Sequence, residues 1–237
     1  SKKIAEGTGA LVLDVKVGTG AFMKDEASAR ELARTMVDLG TDAGVRTVAL
    51  LTNMSTPLGL TAGNALEVRE SVEVLAGGGP SDVVDLTVAL AVEMLAGAGR
   101  DVAADEVRAA LSDGRAMDRW RAMISAQGGD VDATLPVATE NQQILAESDG
   151  VLTGLDALDV GIAAWRLGAG RARREDAVQA GAGVEIHAKP GDRVVAGQPI
   201  LTLHTDTPER FDRALEIARH SITVEAEPRG DVHQDLI

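Results

Sequence analysis

ALVLDVKVGTGAFMK, residues 10–24, decides the fold. Ala10 to Val17 is an apolar, β-branched run with a glycine on each flank, which predicts a buried strand; Asp14 and Lys16 fall near its C-terminal end. Gly18, Thr19 and Gly20 follow as a turn. From Asp25 to Leu39 the apolar residues recur at helical spacing, with Ala29, Leu32, Ala33, Met36 and Val37 on one face. A second strand is expected over Gly44 to Leu51, GVRTVALL. Strand, turn, helix and strand in this order form the unit of a parallel α/β architecture.

The turn sits where open α/β sheets bind ligands, outside the carboxyl end of a strand. Gly18 and Gly20 let backbone approach a ligand closely, although their spacing alone is more simply that of a tight strand-to-helix connection. A dinucleotide fingerprint is not completed, because Met23 stands where its third glycine belongs, and no Walker phosphate loop is present.

Farther along, LTNMSTPLGLTAG (residues 51–63) reads as a long loop feeding a helix from about Asn64 to Leu75. Glu67 and Glu70 lie in that helix. Two carboxylates three residues apart can join loop carbonyls around a hard cation, but on a helix they more simply form a solvated face that favours its N-terminal half. Gly77 to Pro80 breaks the chain, and Ser81 or Asp82 is the expected cap of an apolar helix running to Leu95. Two more helices are expected near Ala103 to Leu111 and Ala116 to Gln127.

After about residue 145 the texture changes to short β-like runs between Gly, Pro and Asp turns: Gly150 to Leu152, Gly183 to His187 and Pro199 to His204. The stretch GVEIHAKPGDRVVAGQPILTLH reads as strands joined by a Pro-Gly-Asp turn and a Gly-Gln-Pro turn. An amphipathic helix between Asp206 and Arg219 and a last strand, Ile222 to Glu225, complete a small α+β appendage. All four histidines lie there, and none stands near a serine in a triad-like context. Arg171, Arg173 and Arg174 form a basic cluster that could hold an anion, although a solvated, charge-balancing loop is the simpler reading.

Composition bounds the function. The chain has 237 residues, a formal net charge of −14 and no cysteine. That charge repels nucleic-acid backbones and anionic membranes, and the missing thiols exclude disulfides, thiolate catalysis and Cys-ligated metals. With two Phe, two Trp and no Tyr, the core has to be aliphatic. No signal-peptide pattern and no membrane-length apolar run is found, so a soluble cytoplasmic protein is the expectation.

Three stretches together carry a resemblance. SKKIAEGTGALVLDVKVGTGAFMK (1–24), LLTNMSTPLGLTAGNALEVRE (50–70) and GVEIHAKPGDRVVAGQPILTLHTD (183–206) resemble, in order, segments of the pyrimidine-nucleoside and thymidine phosphorylase family. The resemblance implies an α/β fold with a mixed or largely parallel sheet flanked by helices, plus a small C-terminal α+β hammerhead-like domain. It divides the chain into a remnant of an all-helical domain and hinge (1–9), an α/β domain (10–147) and the C-terminal domain (148–237). It implies reversible phosphorolysis of thymidine, and of uridine as a further candidate, to free base and pentose 1-phosphate, with phosphate as co-substrate and no organic cofactor.

By the same resemblance Lys2 matches the lysine that hydrogen-bonds a pyrimidine carbonyl, and Phe22 and Met23 match residues lining the base pocket. The backbone carbonyls of Leu58 and Thr61, with Glu70, match a potassium site. No catalytic residue separable from substrate binding is implied. Family members carry a further N-terminal region with the phosphate-binding segment, so the expectation is an incomplete, inactive part of a homodimeric enzyme. A truncated non-catalytic paralogue serving as a binding module is the alternative. A phosphoribosyltransferase relative is disfavoured by DVKVGTGAFMK and by the hammerhead-like C-terminus.

Overall fold

The computed structural model describes residues 5–227, 232 and 235–237. Lys2 and His233 lie outside the described residues.

β1 (Ala10–Val17) and β2 (Arg46–Asn53) pair in parallel, Ala10 opposite Arg46 through Val17 opposite Asn53. Between them α1 (Glu26–Asp42) starts at Asp25, whose carboxylate accepts the Ser28 N–H at 2.9 Å and the Ser28 hydroxyl at 2.8 Å, a side-chain N-cap. Its buried face is made of Ala29, Ala33 and Gly40. Small residues let the helix lie close to the strands: a Cβ on Gly40 would fall 2.1 Å from the Thr47 hydroxyl. Val15, Ala29 and Ala33 form this unit's small core, with Leu13, Val17, Met23, Ala49 and Leu51 packed around it. Along β1 only Val15 is fully buried, so the strand expected to be buried is largely half-exposed. Among the described residues this sheet has two strands, and apolar side chains on its margins stay in contact with solvent.

α2 (Asn64–Leu75), α3 (Ser81–Gly97), α4 (Ala104–Ser112) and α5 (Arg115–Ala126) follow. The helix expected from Asn64 to Leu75 has those limits. α3 is entered through Pro80 without a side-chain cap, not through a capping Ser81 or Asp82. One oxygen of the Asp82 carboxylate accepts the Val83 N–H at 2.9 Å, and the other is turned to tertiary partners described below. α4 and α5 bury no residue completely.

The principal core lies in the C-terminal part. A four-stranded antiparallel sheet runs in the order β3 (Thr61–Ala62), β6 (Gly183–Ile186), β8 (Pro199–Thr205), β4 (Glu140–Leu145); a three-stranded one runs β7 (Arg193–Val194), β5 (Gly150–Leu155), β9 (Ile222–Glu225). α6 (Ala157–Ala164) and α7 (Phe211–His220) pack together and on these sheets. The largest fully buried side chains include Leu152, Leu155, Leu167, Leu201 and Leu203, so the core is aliphatic, as the composition requires.

Four features differ from the sequence reading. β4, ENQQIL, buries only Ile144 and gives no apolar alternation, yet it pairs with β8 along its length and belongs to the C-terminal sheet although it ends before residue 148. β3 is a two-residue strand inside the long loop, and it carries that loop into the same sheet through β6. The Pro-Gly-Asp turn does not close a simple hairpin: β6 pairs with β8, whereas β7, after the turn, pairs with β5 in the other sheet. α6, capped by Asp156 accepting the Asp159 N–H at 3.0 Å, runs into a π-helical turn (Trp165–Ala169) inside a region read as short strands.

The two parts meet at a backbone crossing. Gly63, at φ 153°, lies so close to the strand at residue 183 that a Cβ would fall 2.5 Å from the Ala182 oxygen. Gly183 is equally tight, 2.4 Å from the Ala62 oxygen. Neither contact leaves room for a side chain.

Candidate functional site

The carboxyl ends of β1 and β2 are bound to each other through their loops. Met54 N–H donates to the Val17 oxygen at 2.7 Å and Gly20 N–H to the Met54 oxygen at 2.9 Å. Within the turn, Gly18 N–H donates to the Met23 oxygen at 3.0 Å and Ala21 N–H to the Gly18 oxygen at 3.1 Å. Gly18 has φ 131°, and a Cβ there would stand 2.6 Å from the Ser55 nitrogen. The glycines therefore close a tight strand-to-helix turn and bring the second loop against it.

This locked turn carries Phe22 outward, 99 % exposed. Met23 does something else: it is half-buried, bridges to Val17 and packs on the core of β1 and α1. Behind the turn, Asp14 pairs with Lys16 at 2.6 Å and accepts the Thr52 hydroxyl.

The fold brings Thr61 and Glu70 to one cleft, whereas Leu58 lines a neighbouring one. The Glu70 carboxylate reaches back from α2 and accepts the Leu60 N–H at 2.8 Å. It also lies against Gly59, where a Cβ would fall 2.1 Å from Oε2. Leu60 accepts the Ile186 N–H through its oxygen, and antiparallel pairs alternate between bonded and non-bonded. The Thr61 peptide between them therefore directs its carbonyl away from β6, toward the open edge. The Thr61 hydroxyl is buried beside the Glu70 carboxylate. Burial pushes the Glu70 carboxyl above the ordinary glutamate range, partly offset by the Leu60 N–H. Glu67, the other carboxylate singled out, instead accepts the Gly63 N–H at 2.9 Å and closes the first turn of α2.

Two residues of this site were not legible as site residues. Asp82 accepts the Gly59 N–H at 3.1 Å and pairs with Lys189 at 2.9 Å; Lys189 also donates to the Pro57 oxygen. Nothing in local spacing joins positions 107 residues apart. Lys189, from the turn after β6, thus fastens the loop of the α/β part to the C-terminal part. A cleft of about 500 Å³ opens beside it, lined by Asn53, Pro57, Leu58, Leu60, Asp82 and Lys189 among others. Thr61 and Glu70 face a neighbouring cleft of about 330 Å³ with Glu185 and His187. Phe22 lines neither.

These donors suit a monovalent, oxygen-preferring cation. Glu70 and Asp82 supply two carboxylates and Lys189 one ammonium, leaving one negative charge near the Thr61 carbonyl. Among the described residues no group of three or more His, Asp or Glu side chains is arranged to hold a metal by itself, so carbonyl oxygens would have to complete such a site.

His204 contacts Glu185 at 2.8 Å and His187 contacts the Thr202 hydroxyl at 2.7 Å, as packing or surface residues of the sheet. His220 reaches Asp159 at 2.6 Å, and that carboxylate raises its pKa. No described helix is long and apolar enough to cross a membrane.

Comparison with known proteins agrees with this architecture. The family model described as "Glycosyl transferase family, a/b domain" matches residues 1–117, and that described as "Pyrimidine nucleoside phosphorylase C-terminal domain" matches residues 151–225. The chain is 57 % identical over 214 residues to a protein of Mycobacterium tuberculosis named thymidine phosphorylase, covering 90 % of this chain and 50 % of that protein. It is 41 % identical over 235 residues to the pyrimidine-nucleoside phosphorylase of Staphylococcus epidermidis, covering 95 % of this chain and 54 % of the relative. To that of Bacillus subtilis it is 40 % identical over 239 residues, covering 97 % and 55 %. The chain spans about half the length of the curated relatives it matches. With an α/β part followed by this C-terminal sheet domain, and with similarity running through both, the chain belongs to the pyrimidine-nucleoside phosphorylase family.

Proposed function

We propose that the chain forms the α/β and C-terminal parts of an enzyme that phosphorolyses pyrimidine nucleosides reversibly, thymidine first and uridine as the second candidate. The observation that carries the reading is the turn from Gly18 to Met23. It lies at the carboxyl edge of the parallel pair, is pinned from both sides, and presents an aromatic ring to solvent in a chain with two phenylalanines. A ring held out on a rigid turn suits one wall of a base pocket, with Met23 buttressing the turn from beneath.

Phosphorolysis asks little covalent chemistry of the protein. Phosphate attacks the anomeric carbon while negative charge grows on the departing pyrimidine. A lysine ammonium at a base carbonyl, the role proposed for Lys2, stabilises that charge more in the transition state than in the ground state. Closure of a helical region over the sheet edge would align phosphate with nucleoside and keep water out. On this reading phosphate is held by a region outside this sequence, the working enzyme is a cytoplasmic homodimer, and the 237-residue chain alone does not turn over nucleoside. The test is phosphate-dependent release of thymine from thymidine, with uridine in parallel. The expected result is none from the chain alone and turnover when an upstream helical region is supplied. Ordinary turnover by the chain alone would overturn the placement of the phosphate site.

We further propose potassium at the carbonyls of Leu58 and Thr61 with Glu70. The ion would add fixed positive charge that holds the loop; the chain's own part is to present those oxygens. Because the Glu70 carboxyl is raised in the folded state, its contribution to stability is present below its unfolded pKa and lost as pH rises through the folded value. Potassium, which needs the ionised form, should restore stability over that same window. Melting curves against pH in potassium and in tetramethylammonium chloride are expected to diverge as pH rises, and Glu70→Gln should remove the divergence. Coincident curves at every pH would rule the site out.

A further inference from the structure

On the C-terminal domain, away from the proposed nucleoside site, a cleft of about 420 Å³ is lined by Trp165, Arg166, Arg210 and Arg213, with Asp176 and Glu209. We propose that it binds a phosphate monoester carrying a flat or apolar group.

The first reason is uncompensated charge. Among the described residues none of the three arginines forms an ion pair, in a chain of net charge −14 where a carboxylate is usually near. Glu209 stands one helical turn before Arg213 without closing on it. The Asp176 carboxylate is turned to the loop, accepting the N–H groups of Ala172 and Arg173 at 3.2 and 2.8 Å.

The second reason is rigidity. Arg166 donates Nη1 to the Arg213 oxygen at 2.6 Å, and Arg210 donates Nη1 to the Arg166 oxygen at 3.2 Å. Backbone carbonyls hold these guanidiniums in place but do not neutralise them, so their charge and remaining N–H groups are left for another partner. Arg166 Nε is moreover buried with no hydrogen-bond partner among the described residues, so this guanidinium is under-satisfied as well as unpaired. Several planar forks converging on one cleft match the oxygens of a phosphate better than a single carboxylate, which one arginine satisfies.

The third reason is shape. The volume exceeds what a bare phosphate fills and lies within the range of small-molecule sites. Trp165, 43 % exposed, is fixed by close contact with Gly170, where a Cβ would fall 2.8 Å from the indole Cδ1, and offers a flat wall beside the cations. The adjoining loop carries Arg171, Arg173 and Arg174, and Arg171 donates to the Arg174 oxygen at 3.3 Å.

Titration of the isotopically labelled chain with phenyl phosphate and with inorganic phosphate tests this, read on the indole N–H signal of Trp165 with Trp120 as internal control. The expected result is a saturable shift of Trp165 alone, with phenyl phosphate about tenfold tighter than inorganic phosphate. In Arg210→Gln and in Arg213→Gln, both exposed positions, affinity should fall about tenfold or more while Trp120 stays unmoved. The proposal is overturned by an unmoved Trp165 across the millimolar range, by equal affinity for the two ligands, or by variants that bind as well as the parent. Phosphate bound at a nucleoside site would leave Trp165 and both variants unaffected, so the two outcomes are separable.

Discussion

Leu201→Ala is expected to lower the unfolding free energy by about 2–5 kcal/mol. Leu201 is fully buried at the centre of the four-stranded sheet, on β8 between β4 and β6, opposite Ile144 and Ile186. Its removal forfeits the transfer of a leucine side chain from water and leaves a cavity whose walls belong to both neighbouring strands, which cannot collapse without breaking their registers. For a chain of this length each kcal/mol corresponds to about 2–4 °C in Tm, so a drop of roughly 4–20 °C is expected by calorimetry or circular dichroism. A shift under about 1 kcal/mol would show that the sheet relaxes into the space. The same substitution at Leu11 on half-exposed β1 should cost less, because less of that side chain leaves water on folding.

Gly18→Val is the second large effect, and it concerns the site itself. The residue stands at φ 131°, where a β-branched side chain is strongly disfavoured, and its Cβ would fall 2.6 Å from the Ser55 nitrogen and 2.9 Å from the Met54 carbonyl carbon. Backbone cannot swing aside as a flexible side chain can. The turn must open, and the bonds joining Gly20 to Met54 and Met54 to Val17 go with it. A loss of about 2–4 kcal/mol is expected, with faster amide exchange at Gly20 and Met54 as the local signature. In an enzyme form that turns over thymidine, kcat/KM should fall at least about a hundredfold, since displacement of a positioning turn by about 1 Å is enough. Unchanged exchange at those amides would mean the turn is not held by the close approach. Gly44→Ala makes a useful contrast: it has positive φ but no atom within 4 Å, so it should show the backbone cost without the loosening.

The α/β order was legible because it rests on local signals: a β-branched run between glycines, helical periodicity after Asp25, and a second apolar run. α2 and β9 were read to their limits for the same reason, as was the aliphatic core. Misreadings occurred where local pattern and tertiary partner disagree. ENQQIL carries almost no strand signal and is a strand because β8 offers its open edge. Asp82 has the residue type and position of a helix cap, yet the Lys189 ammonium and the Gly59 N–H are better partners for a partly buried carboxylate. Among the candidate site residues, Phe22 is placed on a rigid, exposed turn and Glu70 against its loop, whereas Met23 serves the core as much as any pocket.

By itself the sequence determined the elements whose hydrogen bonds and apolar faces close within a few turns of chain, the aliphatic nature of the core and, through long matching segments, the family. Only the tertiary structure decided which edges pair across the chain, that β3 and Lys189 fasten the loop of one part to the sheet of the other, and which charges are left without partners. Such pairings depend on which groups lose water together when distant segments meet, and no local spacing records that.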